Sequence, residues 1–157
     1  MDPKDRLIVA LDVDTRARAD RLVEELGPHV GMFKVGQELF TAEGPEVVRS
    51  IIAGGGRVFL DLKFHDIPNT VAKAVGAASQ LGAFFVTLHI AGGRGMLEAA
   101  ASALPAEGTQ LLGVTVLTSH TDQSLQETGA AETVAETVRR LATLARARKC
   151  IDALGAA

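Results

Sequence analysis

The chain has 157 residues, 47% hydrophobic and 22% charged, with a formal net charge of -3; that suffices for one domain with a buried core, and no block of like charge marks a nucleic-acid binder. No apolar run approaches the roughly 18 residues that span a membrane, and Met1-Asp2-Pro3-Lys4-Asp5-Arg6 lacks the basic start and apolar stretch of a secretory signal. Cys150 is the single cysteine, which excludes a disulfide within these residues and reads as an inert thiol near a helix end; the expectation is a compact cytoplasmic protein.

Short apolar runs alternate with amphipathic ones. Residues 7–11 (Leu-Ile-Val-Ala-Leu) read as a buried strand, and residues 15–26 as a helix with Thr15 at the N-cap. A second strand covers 32–35. A helix over 42–53 follows, stopped by Gly54-Gly55-Gly56. The third strand, 58–63, leads to a helix over 70–81 closed by Gly82. The fourth, 84–89, precedes a helix over 95–103, and the fifth, 111–117, precedes a long helix over 132–148. Residues 150–154 read as the start of a sixth strand.

Strand–helix alternation predicts a parallel sheet with right-handed crossovers, and near-continuous apolar strands predict burial on both faces. An open flavodoxin-like sheet also has five strands, so number alone does not choose. The polar residues do. Asp12, Lys34, Asp61 with Lys63, His89, and Thr118 with Ser119 each fall at or just past the C-terminal end of a different strand. A barrel gathers those ends into one ring, the face on which barrel enzymes do chemistry. The predicted class is α/β, of the (β/α)8 TIM-barrel kind, with about five to six βα units in one partial-barrel domain over residues 1–157.

The densest cluster of chemistry is Asp61-Leu62-Lys63-Phe64-His65-Asp66-Ile67-Pro68-Asn69-Thr70. Strand periodicity of two turns Asp61 and Lys63 to the same side, with Asp66 following in the loop. Asp-x-Lys-x-x-Asp arises by chance in about one chain in thirty of this length, given average residue frequencies. The bland alternative is a surface ion pair worth at most about 1 kcal/mol. Against it, the triplet ends an apolar strand, where idle charges would be costly. His65 reads as a solvated or packing side chain, His89 as a histidine orienting the next turn, and His120 as loop. Gly92-Gly93-x-Gly95 reads as a turn before it reads as a phosphate cradle. His29 has no ligand-type neighbours, and no Cys/His cluster fits a metal.

The run from Phe59 to Thr70 resembles the signature of orotidine 5′-phosphate decarboxylases. Ala10-Leu11-Asp12, Phe33-Lys34-Val35-Gly36, His89-Ile90-Ala91-Gly92-Gly93 and Val114-Thr115-Val116-Leu117-Thr118-Ser119 match the same family in order and spacing, and the resemblance covers residues 6–154. It implies a cofactor-free and metal-free decarboxylation of orotidine 5′-phosphate to UMP. Lys34, Asp61, Lys63 and Asp66 would form an alternating charge network, with Lys63 the proton donor to C6 of the pyrimidine. Asp61 would lie beside the substrate carboxylate. Asp12 and Lys34 would hold ribose hydroxyls. Asp66 and Thr70 would reach the site of a homodimer partner. Ser119, with Thr118, would bond the pyrimidine edge.

A full barrel takes about 200 residues or more. The expectation is therefore the N-terminal two-thirds of such an enzyme, without its sixth to eighth strands or the loops whose glutamine and arginine grip the phosphate, and inactive or nearly so by itself. Two alternatives stand beside it. Magnesium-dependent sugar-phosphate enzymes, 3-keto-gulonate 6-phosphate decarboxylase and hexulose-phosphate synthase, share Asp-x-Lys-x-x-Asp, although Ile67-Pro68-Asn69-Thr70 and Lys34 fit the orotidylate pattern better. The other is a non-catalytic half-barrel that serves as a dimerisation module.

Overall fold

A computed structural model describes residues 2–146 and the backbone of 153–155. Its strands are β1 (Ile8–Ala10), β2 (Met32–Gly36), β3 (Val58–Phe64), β4 (Phe85–His89), β5 (Gln110–Val114) and β6 (Ala153–Gly155), in that order across the sheet. β1 with β2, β2 with β3, and β5 with β6 run parallel. The helices are α1 (Arg16–Leu26), α2 (Gln37–Glu43), α3 (Glu46–Ala53), α4 (Pro68–Gln80), α5 (Gly93–Ser102), α6 (Asp122–Glu127) and α7 (Val134–Arg146).

The chain divides into two compact units. One comprises residues 1–62, 76–86 and 105–109. Its core is Phe33, Val35, Leu39, Ile51, Val58 and Leu60, each at most 1% exposed. Burying side chains of this size stabilises by about 1.5–3 kcal/mol each. The β3 and β4 starts pair through the Phe84 amide and the Val58 carbonyl at 2.8 Å. The Arg57 guanidinium lies 3.8 Å above the Phe84 ring, and the Thr109 hydroxyl donates to the Ala83 carbonyl at 2.7 Å. The other unit takes residues 63–75, 87–104 and from 110 on, and buries Val71, Val75, Leu88, Met96, Leu111 and Leu141.

Several boundaries depart from the sequence expectation for identifiable reasons. The helix predicted over 42–53 begins only at Glu46, as α3, and is preceded by an unpredicted helix, α2, from which Gly44 at φ +68° and Pro45 separate it. Thr15 sits at the N-cap of α1 but makes no side-chain cap bond; the first helical amide, Arg16, instead donates to Glu43 Oε1 at 2.9 Å. The first strand is not buried. Leu7 and Ile8 are 53% and 48% exposed, since β1 stands first in the sheet and pairs, among the described residues, with β2 alone. β5 ends at Val114, ahead of the predicted 117, although Thr115 and Val116 remain buried. The start of a sixth strand read over 150–154 is seen at Ala153–Gly155, where Leu154 and Gly155 pair with Gly113 and Val114, so the sixth strand is not wholly missing. Cys150 lies outside the described residues.

Helix α6 has no counterpart in the predicted elements. Thr121 Oγ1 accepts from the Ser124 amide at 3.2 Å, and Ser124 Oγ accepts from the Thr121 amide at 2.9 Å, a reciprocal capping box. The Thr133 amide and hydroxyl both donate to Glu136 Oε2 at the start of α7, and these two bonds hold the Glu136 carboxyl below its ordinary pKa. A carboxylate so depressed lends stability above its unfolded pKa and loses it as pH falls through the folded one. Thr121→Ala is expected to cost about 1 kcal/mol, the usual loss for an N-cap hydroxyl, read as a lower melting temperature. Thr121→Ser should keep most of it.

Candidate active site

Parallel pairing brings three charged residues together in the first unit. Ala10 is in register with Lys34, and Gly36 with Asp61, so Asp12 just past β1, Lys34 in the middle of β2 and Asp61 in the middle of β3 come from three neighbouring strands. Lys34 Nζ is 3.3 Å from Asp12 Oδ1 and 3.8 Å from Asp61 Oδ2. The two contacts differ in kind. The Asp12 side chain is 69% exposed and that of Asp61 is 10% exposed. The first is a screened surface pair worth at most about 1 kcal/mol. The second, at an effective dielectric near 20, has a gross attraction of about 4 kcal/mol. At the N-terminal end of β2 and β3 a cavity is lined by Gly31, Phe33, Gly56 and Arg57; it does not reach these charges.

Lys63 lies within β3 but departs from regular strand geometry. Its φ is +52°, the left-handed region, and it is the one described non-glycine residue there. For an L-residue with a side chain this costs on the order of 1–2 kcal/mol. At that φ the strand rule that residues two apart point the same way does not by itself orient Lys63. The Lys63 amide donates to Thr87 Oγ1 at 2.8 Å, and Thr87 is 1% exposed. The carbonyl on the same peptide group, Leu62 O, accepts from Gln37 Nε2 at 3.0 Å.

The remaining predicted residues lie in the second unit. Asp66 is exposed, and its Oδ1 accepts from the adjacent Ile67 amide at 2.6 Å. Thr70, on the first turn of α4, is exposed too, as is Ile67 at 66%. Thr118 and Ser119 follow β5 and are exposed. The His65 and His89 rings pack at 5.3 Å between centroids. His120 Nδ1 is 3.1 Å from Ser124 Oγ, tying the loop after Ser119 to α6. Gly92 is a close-approach glycine: a Cβ there would lie 2.1 Å from the sulfur of buried Met96. Among the described residues, no group of three or more His, Cys, Asp or Glu is arranged to hold a metal ion.

Residues 5–155 match the family described as Orotidine 5'-phosphate decarboxylase / HUMPS. The chain belongs to that family. It is 51% identical over 154 residues to the orotidine 5'-phosphate decarboxylase of Moorella thermoacetica, covering 93% of this chain and 61% of that protein. To the Halorhodospira halophila protein of the same name it is 54% identical over 144 residues, 90% of this chain and 61% of the other. The chain thus spans about three-fifths of the length of these relatives. Among solved structures it resembles orotidine 5'-phosphate decarboxylase from Lactobacillus acidophilus, with TM-score 0.84, 40% identity, and coverage of 90% of this chain and 66% of that one. The Methanocaldococcus jannaschii orotidine 5'-monophosphate decarboxylase complexed with inhibitor BMP gives TM-score 0.79 at 25% identity, covering 94% and 65%. The fold is accordingly α/β, of the TIM-barrel class.

Gln37 and Thr87 escaped the reading of the sequence. Thr87 could have been noticed as a hydroxyl inside an apolar strand, which needs a partner when buried. Gln37 carries no signal, because its role appears only when β2 and β3 are paired.

Proposed function

We propose that this family member carries the charged centre of an orotidine 5′-phosphate decarboxylase, which forms UMP and carbon dioxide with neither metal nor cofactor. The observation that carries the reading is the Lys34 ammonium lodged against Asp12 and the nearly buried Asp61, within a chain whose curated relatives bear that name. Breaking the bond between C6 and the carboxylate leaves an electron pair on C6. Lys63 supplies the proton that takes up that pair, and its ammonium offsets the developing negative charge; the lysine then regains a proton from water. Asp61 sits beside the departing carboxylate, held by Lys34. Asp12 and Lys34 bind ribose hydroxyls, and Thr118 and Ser119 the pyrimidine edge. Asp66 and Thr70 serve the site of a second copy in a homodimer; their exposure, with that of Ile67, supports this. Residues 1–157 act as part of one barrel domain. The location is the cytoplasm, in line with the finding that no described helix is long and apolar enough to cross a membrane.

The test is loss of orotidylate absorbance on incubation with the protein at its natural length, with EDTA in a parallel sample. Equal rates in both are expected. No orotidylate loss, together with magnesium-dependent and EDTA-sensitive turnover of a sugar phosphate, would instead place the chain with the sugar-phosphate members of the superfamily.

A further inference from the structure

The Leu62–Lys63 peptide group is held at both of its polar ends by side chains from outside β3. Its carbonyl takes a hydrogen bond from the Gln37 amide at 3.0 Å, and its N–H gives one to the Thr87 hydroxyl at 2.8 Å. It is also the peptide that leads into the left-handed Lys63. A backbone in that region is retained where its surroundings fix it. Rotating this peptide toward ordinary strand geometry would break both bonds.

We propose that Gln37 and Thr87 are positioning residues that hold the Leu62–Lys63 peptide and so present Lys63 from its left-handed backbone. The inference rests on the decarboxylase reading, in which Lys63 delivers the proton. Neither residue touches the reacting atoms in this scheme. Their effect is transmitted through one peptide plane to the start of the lysine side chain, where a small rotation at Cα becomes a large displacement at Nζ. Such a displacement weakens a step that depends on alignment more than it weakens binding.

Three variants of the natural-length protein test this. Thr87→Val removes the acceptor at nearly constant volume, Thr87→Ser keeps it, and Gln37→Met removes the carbonyl's donor at an exposed position. Thr87→Val is expected to lower kcat by about tenfold to a hundredfold, the scale of an ångström-size misplacement. KM should stay within about twofold. Thr87→Ser should recover most of the loss, and Gln37→Met should lower kcat by about threefold to tenfold with KM similarly unmoved. In parallel, hydrogen exchange of the Lys63 amide should be slow in the wild type and Thr87→Ser, and fast in Thr87→Val. Unchanged kcat in Gln37→Met and in a folded Thr87→Val would overturn the proposal. So would a Thr87→Ser enzyme as impaired as Thr87→Val, or a fast-exchanging Lys63 amide in an active wild type. Absence of turnover in the wild type is a separate result: it removes the decarboxylase reading, and the positioning role with it.

Discussion

On the proposed decarboxylation, Lys63→Ala is expected to lower turnover of orotidine 5′-phosphate by about 10⁴-fold or more, because in that scheme one substitution removes both the general acid and a charge facing the developing carbanion. Binding of UMP should change far less. Stability gives an independent reading of the same residue. With φ at +52°, Lys63 occupies a conformation in which glycine alone is unstrained. Lys63→Gly should therefore be as inactive as Lys63→Ala yet more stable than it, by about 1 kcal/mol in urea or thermal unfolding. An alanine variant more stable than the glycine variant would contradict the left-handed backbone. The lysine is thus expected to sit where function, and not the strand, requires it.

The second large effect is on Lys34. Its two aspartate contacts look alike in a list of charges but differ in burial, and burial decides their worth. Lys34→Met takes away an opposite charge from Asp61, whose side chain is 10% exposed. Breaking a buried pair from one side costs about 3–5 kcal/mol, and partial exposure puts this one at about 2–3 kcal/mol. Asp12→Asn, acting on a carboxylate whose side chain is 69% exposed, should cost under about 1 kcal/mol. The pair of values is measurable by chemical denaturation at neutral pH. Equal losses would contradict the ranking of the two contacts by burial.

Much of this was legible in the sequence because the signals were local. The apolar runs around Val35, Leu60 and Leu88 announce parallel strands, and Asp12, Lys34 and Asp61 fall in or just past such runs by chain position alone. The charged trio follows once neighbouring strands are paired in order. What could not be read depends on backbone geometry that no periodicity encodes. Lys63 sits in a run that reads as plain strand, and only its φ reveals the turn. Gln37 meets Leu62 across 25 positions, a contact that strand register alone creates. The break at Gly44 and Pro45 was written in the sequence, but the surrounding apolar residues favoured a helix running through it. α6 was overlooked because a six-residue helix is too short to show amphipathic periodicity, although Thr121-x-x-Ser124 was there to be noticed. The exposed β1 shows the reverse error: an apolar run guarantees a strand more securely than it guarantees burial, which depends on what lies beside it.

The most direct measurement is release of labelled carbon dioxide from carboxyl-labelled orotidine 5′-phosphate, set against UMP formed, using the natural-length protein and its Lys63→Ala variant without added metal. Stoichiometric carbon dioxide and UMP from the wild type, with neither from the variant, is the predicted result. A folded wild-type protein that binds UMP yet releases no carbon dioxide, or a variant as active as the wild type, would contradict the assignment of this charged centre to decarboxylation.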